Sequence, residues 1–175
     1  MKKLSNFYRN SQVNEEELKK RLRKLKLVKL ADGRYDVIGD VNFSGLGLTS
    51  LLEIPIRIRK VTGDFNCSYN QLVTLEGAPR YVDGGFICDH NQLETLKGAP
   101  ERVGGGFNCS YNNLRDLKGA PKYVGGSFCC WSNYLQILEG APERVDGNFY
   151  CSGNLEKFTE EEVRKLVDVR GEVVV

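Results

Sequence analysis

One phenylalanine, one cysteine, one asparagine and one proline recur along this chain at a constant interval of 21 residues. Phe65, Phe86, Phe107, Phe128 and Phe149 set the register. Cys67, Cys88, Cys109, Cys130 and Cys151 follow two residues later, and Asn70, Asn91, Asn112, Asn133 and Asn154 three after that. Pro79, Pro100, Pro121 and Pro142 close the copies. No insertion interrupts the series, so one short unit must stack on copies of itself, because a single copy cannot bury its own apolar edge. The predicted architecture is a β-rich repeat solenoid.

The copy from Val82 to Pro100 shows how such a coil is built. Between Gly85 and Asp89 apolar residues alternate with others, the period of a strand with one buried face. Phe86 and Cys88 then point inward, and Gly85, Ile87 and Asp89 outward. Asn91 ends the strand, Leu93 and Leu96 carry the chain across the core, and Gly98-Ala99-Pro100 makes the corner. Stacked copies would pair as a parallel sheet with strands about 4.8 Å apart. The asparagines would form a ladder that satisfies backbone groups of the bend, since a buried unpaired amide is costly.

A degenerate copy precedes the regular ones. Val37 to Ser44 aligns with Val61 to Ser68, but Leu46 stands where the asparagine belongs. Six coils are expected, the last from Val145 to Asn154. Both ends look capped. Asn14-Glu15-Glu16-Glu17 opens a helix with Leu18, Leu22 and Leu25 on one stripe, and Leu27 to Val37 reads as a hairpin about Asp32-Gly33. Thr159 and Glu162 form a capping box, with Val163, Leu166 and Val167 expected to cover the last coil before a terminal Val173-Val174-Val175 strand. Residues 1–35 are thus a basic helix and hairpin cap, 36–158 the solenoid and 159–175 the second cap, within one structural domain.

Phe-x-Cys-x-x-Asn-x-Leu-x-x-Leu resembles the core of the leucine-rich repeat, with Phe and Cys in the first two apolar slots. The longer form, Val-x-Gly-x-Phe-x-Cys-x-x-Asn-x-Leu-x-x-Leu-x-Gly-Ala-Pro, is similar to a repeat of tailed bacteriophages and some bacteria. The resemblance covers about residues 36–158. It implies an arc of about six coils with a parallel sheet on the concave side, used mainly for binding proteins and not for catalysis. One departure stands out: Val61, Val82, Val103, Val124 and Val145 lie four residues before the phenylalanine, where the usual pattern has three.

Charge and cysteine usage narrow the function. Residues 1–35 hold eleven Lys or Arg against four Asp or Glu, a balance of +7, and the remaining 140 hold 14 against 19, a balance of −5. The basic end is either a solvated helix face or a nucleic-acid contact through Lys19, Lys20, Arg23 and Lys24. The start, Met1 to Arg9, lacks the apolar core of a secretory signal, and no apolar run is long enough for a membrane span, so a cytoplasmic location is expected. Five of the six cysteines share one repeat position, an address in a core rather than a crosslinking plan, and free thiols follow. A metal site is not expected, since the chain has one histidine and no Cys-x-x-Cys pair.

The functional question is which variable residues stand on the exposed face of the sheet. The outward position between Phe and Cys carries Asn42, Asn66, Ile87, Asn108, Cys129 and Tyr150; the next outward column carries Ser44, Ser68, Asp89, Ser110, Trp131 and Ser152. Beside it run Gly45, Tyr69, His90, Tyr111, Ser132 and Gly153. Asn and Ser read as small solvated fillers. Tyr69, Ile87, Asp89, His90, Tyr111, Cys129, Trp131 and Tyr150 form the expected partner-binding patch, which contains the one Trp and the one His of the chain. The competing reading is that Tyr69 and Tyr111 stack across His90 only to stiffen the sheet. No catalytic residues or cofactor are expected. Gly104-Gly105-Gly106 lacks the Lys-Ser or Lys-Thr of a phosphate loop, and no nucleophile is paired with a base. The expected function is a non-enzymatic scaffold for a protein partner, such as a phage or bacterial factor that inhibits a host protein. The alternative is nucleic-acid binding through the basic helix with stacking on the aromatics; it is opposed by sheet columns that hold no Lys or Arg.

Overall fold

A computed structural model describes residues 13–175 of the chain. The expectation concerning Met1 to Arg9 lies outside the described residues. Each coil contributes two short strands, not one, separated by a glycine corner. Strands Tyr81–Val82, Arg102–Val103, Tyr123–Val124 and Arg144–Val145 form the middle of an eight-stranded sheet, here the valine sheet. Phe65–Asn66, Phe86–Ile87, Phe107–Asn108, Phe128–Cys129 and Phe149–Tyr150 form most of a seven-stranded phenylalanine sheet, parallel throughout. Between the regular coils each residue pairs with its counterpart one coil away, so Val82 faces Val103 and Phe86 faces Phe107. The valine placed four residues before the phenylalanine is the reason for the second sheet. It is long enough before the corner to pair as a rung of its own.

The corner between the sheets depends on a stacked column of glycines. The Gly105 N–H donates to the Gly84 carbonyl at 2.8 Å, and a Cβ on Gly105 would lie 2.7 Å from the Gly84 backbone. Any larger residue would push the coils apart. At the far corner Gly98 has φ +89°, a conformation that glycine adopts without a Cβ clash.

Phe65, Phe86, Phe107, Phe128 and Phe149 stack through the core with centroids 5.2–5.5 Å apart and planes within 19°. The inward assignment of the cysteines holds: Cys67, Cys88, Cys109, Cys130 and Cys151 are all buried. Their thiols also bond across coils, Cys88 Sγ donating to the Asn108 carbonyl at 3.2 Å and Cys109 Sγ to that of Cys129 at 3.3 Å. The asparagine ladder is present. Asn112 Nδ2 donates to the carbonyls of Cys88, Cys109 and Ser110, each at 3.1 Å, and its Oδ1 accepts from Leu93 N at 2.9 Å. Each amide therefore ties two coils together.

Helix α1 (Glu15–Leu22), capped by Asn14, closes the first coil. Its Arg21 Nη1 donates to the carbonyls of Ser44 at 2.8 Å and Asn42 at 3.3 Å, covering that edge of the phenylalanine sheet. The hairpin is Lys26–Lys29 against Tyr35–Ile38 and extends the valine sheet. Helix α2 (Glu160–Leu166) starts with the expected Thr159–Glu162 capping box. Val163 and Val167, one turn apart, seal the last coil, but Leu166 lies on the other side of the helix and is exposed. The terminal Val173–Val174 strand pairs with Phe149–Tyr150, so the phenylalanine sheet gains a seventh rung beyond the six expected coils.

Candidate recognition surface

Three residues past each phenylalanine strand stands a residue with left-handed backbone, and there the aromatic row begins. Tyr69, His90, Tyr111 and Ser132 have φ between 53° and 54°, while Gly45 and Gly153 take the same corner in the end coils. The chain turns here because the corner N–H still reaches the next coil: Tyr69 N donates to the Asp89 carbonyl at 3.1 Å and Tyr111 N to that of Trp131 at 3.2 Å. The column is thus a bend rather than a continuation of the strand.

Its side chains stack in register. Tyr69 and His90 are parallel at 4.3 Å between centroids, His90 and Tyr111 lie 4.4 Å apart with a 31° tilt, and Tyr111 meets Trp131 edge to face at 4.8 Å. Tyr69, Tyr111 and Trp131 are exposed. His90 Nδ1 lies 2.7 Å from Asp89 Oδ2, so the carboxylate fixes the imidazole plane between the two tyrosines. Tyr150 and Ile87 are half-buried in the adjoining strand column, and the Tyr150 hydroxyl accepts from Asn148 Nδ2 at 2.8 Å. Cys129 shares that column. Burial, then the negative charge of Asp89, pushes its thiol up to about 11, which keeps it protonated near neutral pH and a poor nucleophile.

Comparison with protein-family models, curated proteins and solved structures finds no match. The surface is read from its own geometry.

Two expectations need correction, and one pair of exposed residues went unnoticed in the sequence. Ser68 and Ser110 are buried, not solvated fillers. Ser110 stands one rung from both Asp89 and Trp131, larger side chains that exclude water from it, and its hydroxyl has no hydrogen-bond partner. Next, exposed sheet columns do carry cations. The valine sheet presents Lys60, Tyr81, Arg102, Tyr123 and Arg144 on successive rungs, a face invisible while only one strand per coil was counted. Two of these three cations face carboxylates, Lys60 pairing with Asp83 at 2.8 Å and Arg144 with Asp146 at 2.7 Å; just before the strands, Arg80 pairs with Glu101 at 2.7 Å and Lys122 with Glu143 at 2.9 Å. Finally, Tyr134 and Ile137 are exposed apolar residues beyond the ladder that sequence reasoning missed. The available signal was the column Gln71, Gln92, Asn113, Tyr134, where an aromatic replaces polar residues.

The basic helix stands apart from the row. Lys19, Lys20, Arg23 and Lys24 lie on or just after α1, which docks on the first coil, whereas the rings belong to later coils. Lys19 pairs with Glu15 and Lys20 with Glu17, both at 3.3 Å, while Arg23 and Lys24 are exposed. Among the described residues no group of three or more His, Cys, Asp or Glu could hold a metal, and no helix is long and apolar enough to cross a membrane.

Proposed function

We propose that this solenoid is a non-enzymatic scaffold that binds a partner protein with the row Tyr69, His90, Tyr111 and Trp131, flanked by Ile87, Asp89, Cys129 and Tyr150. The observation that carries the reading is that three rings occupy a left-handed corner where the end coils use glycine. A side chain in that conformation costs about 1–3 kcal/mol, whereas an aromatic pair contributes about 0.5–1.5 kcal/mol beyond its buried area. Ser132 takes the same corner without a ring, so the bend itself does not call for aromatics and stiffening is a weak reason for tyrosines here. Rings held rigid and exposed are what a binding hot spot uses, because they bring large contact area at small entropy cost.

The repeat's resemblance supplies the finer part of the proposal: a phage or bacterial factor acting in the cytoplasm on a host protein. The paired lysines of α1 and the carboxylates along the valine sheet weigh against a nucleic-acid partner, since salt-bridged cations neutralise few phosphates. Affinity capture from a bacterial lysate, repeated after nuclease treatment and with the Tyr111→Ala/Trp131→Ala double variant, tests the reading. A protein retained by the wild type, indifferent to nuclease and lost with the double variant supports it. Retention that vanishes with nuclease supports the nucleic-acid alternative.

A further inference from the structure

The valine sheet contains a carboxylate site with its carboxylate missing. At one rung Asp146 accepts two hydrogen bonds, from Arg144 Nε to Oδ1 at 2.7 Å and from the Tyr123 hydroxyl to Oδ2 at 2.6 Å. These bonds hold the Asp146 carboxyl below its ordinary value, the Tyr123 bond first, and the same bond raises the Tyr123 phenol. Two coils earlier, 42 residues back in each case, the equivalents of Tyr123, Arg144 and Asp146 are Tyr81, Arg102 and Gly104. The two donors are kept. The acceptor is a glycine.

Gly104 has a backbone reason to be glycine, because a Cβ there would lie 2.2 Å from the Asp83 carbonyl oxygen. The chain therefore cannot supply its own carboxylate at this rung without shifting a coil. Among the described residues the Arg102 guanidinium has no ion pair and the Tyr81 hydroxyl no hydrogen bond, while the neighbouring Lys60 is already taken by Asp83 at 2.8 Å. The Arg102 guanidinium carbon lies 4.4 Å from the Tyr123 ring centroid of the following coil, a cation–π contact that leaves its N–H groups without a carboxylate partner. In front of it opens a groove of about 370 Å³ lined by Arg59, Lys60, Tyr81, Asp83, Arg102 and Gly104.

We infer that this groove binds the side-chain carboxylate of an Asp or Glu on a polypeptide partner, one oxygen accepting from Arg102 and the other from Tyr81. The internal copy at Asp146 defines the ligand as planar with two acceptor oxygens, and one unpaired cation matches one negative charge. The groove is far larger than a carboxylate and open along the sheet, which leaves room for the residues on either side of the acid. This site lies on a different sheet from the aromatic row and does not rest on it.

The test is an amide and arginine side-chain NMR titration of the ¹⁵N-labelled full chain with a glutamate-centred, end-blocked pentapeptide, with sodium acetate and with inorganic phosphate. The peptide is expected to shift the Arg102 Nε–H and Gly104 signals. Arg102→Gln should weaken it at least about tenfold, and Tyr81→Phe about threefold, as for charge-assisted and neutral hydrogen bonds. Asp146→Gly should add a second site, seen as new shifts at Arg144. Peptide shifts that ignore Arg102→Gln overturn the proposal, as does phosphate acting at lower concentration than the peptide. Acetate matching the peptide overturns the polypeptide source, and no new shifts in Asp146→Gly overturn the argument from the internal copy. The aromatic-row variants leave this titration unchanged, so failure of either site is read separately.

Discussion

The indole of Trp131 meets the ring of Tyr111 edge to face, 4.8 Å between centroids and 61° between planes. Trp131 thereby closes a row that starts at Tyr69 and stays in contact through His90. Because it ends the row and is exposed, Trp131→Ala should be the most damaging single change to partner binding, with a loss of about 2 kcal/mol or more by calorimetric titration. Tyr111→Ala should come next, and the far-ultraviolet spectrum should not change. Reversing Lys19, Lys20 and Arg23 to Glu should leave a protein partner's affinity nearly unchanged. A large loss there, with Trp131→Ala neutral, would move the site to α1.

The left-handed corner makes a second prediction, about stability rather than binding. Tyr111 has φ 53°. Replacement by alanine removes the stacking and keeps the strain, whereas replacement by glycine removes both. Tyr111→Gly is therefore expected to be more stable than Tyr111→Ala by about 1 kcal/mol in urea unfolding. The reverse order would mean that the corner carries no strain.

Thiol labelling separates the cysteine positions. Cys129 is half-exposed, while the other five are buried, so one thiol should react in the native state and six after unfolding. Burial raises the Cys129 thiol from 9.0 to about 11, so its labelling should be slow near neutral pH and quicken up to that value. Cys151 is likewise pushed up by burial to about 11. A thiol that ionises more readily in the unfolded chain stabilises the fold fully below 9.0, and that contribution is lost as pH rises toward 11. Unfolding midpoints should accordingly fall as pH rises through this window. Native labelling of two or more buried thiols would contradict the inward assignment.

Asn112 and Asn154 occupy the same repeat position in different surroundings. Asn112 is 5% exposed and bonded to four backbone groups of two coils. Asn112→Ala should cost about 1–3 kcal/mol, the range for leaving buried backbone groups without a partner. Asn154 is only half-buried and its bond to the Cys130 carbonyl is 3.3 Å, so water can replace much of what it does. Its alanine variant should cost less; equal losses in denaturant unfolding would undercut the ladder.

The 21-residue interval was enough to assign the inward Phe and Cys slots, the Asn ladder and the corner prolines, because equivalent residues in a stacked repeat must meet equivalent surroundings. It was not enough to count the strands. The leading valine reads as one more apolar position, and only inter-coil bonds such as Gly104 N to the Val82 carbonyl at 2.9 Å turn it into a second sheet with its own exposed face. For the same reason Arg102, Tyr81 and Asp146 carried no signal as a group. The left-handed corner was also hidden: tyrosine rarely adopts it, so Tyr69 and Tyr111 argued for a continuing strand. Periodicity says which residues are equivalent. The backbone's need to hydrogen-bond coil to coil decides where the chain bends, and those bends determine which side chains share a surface.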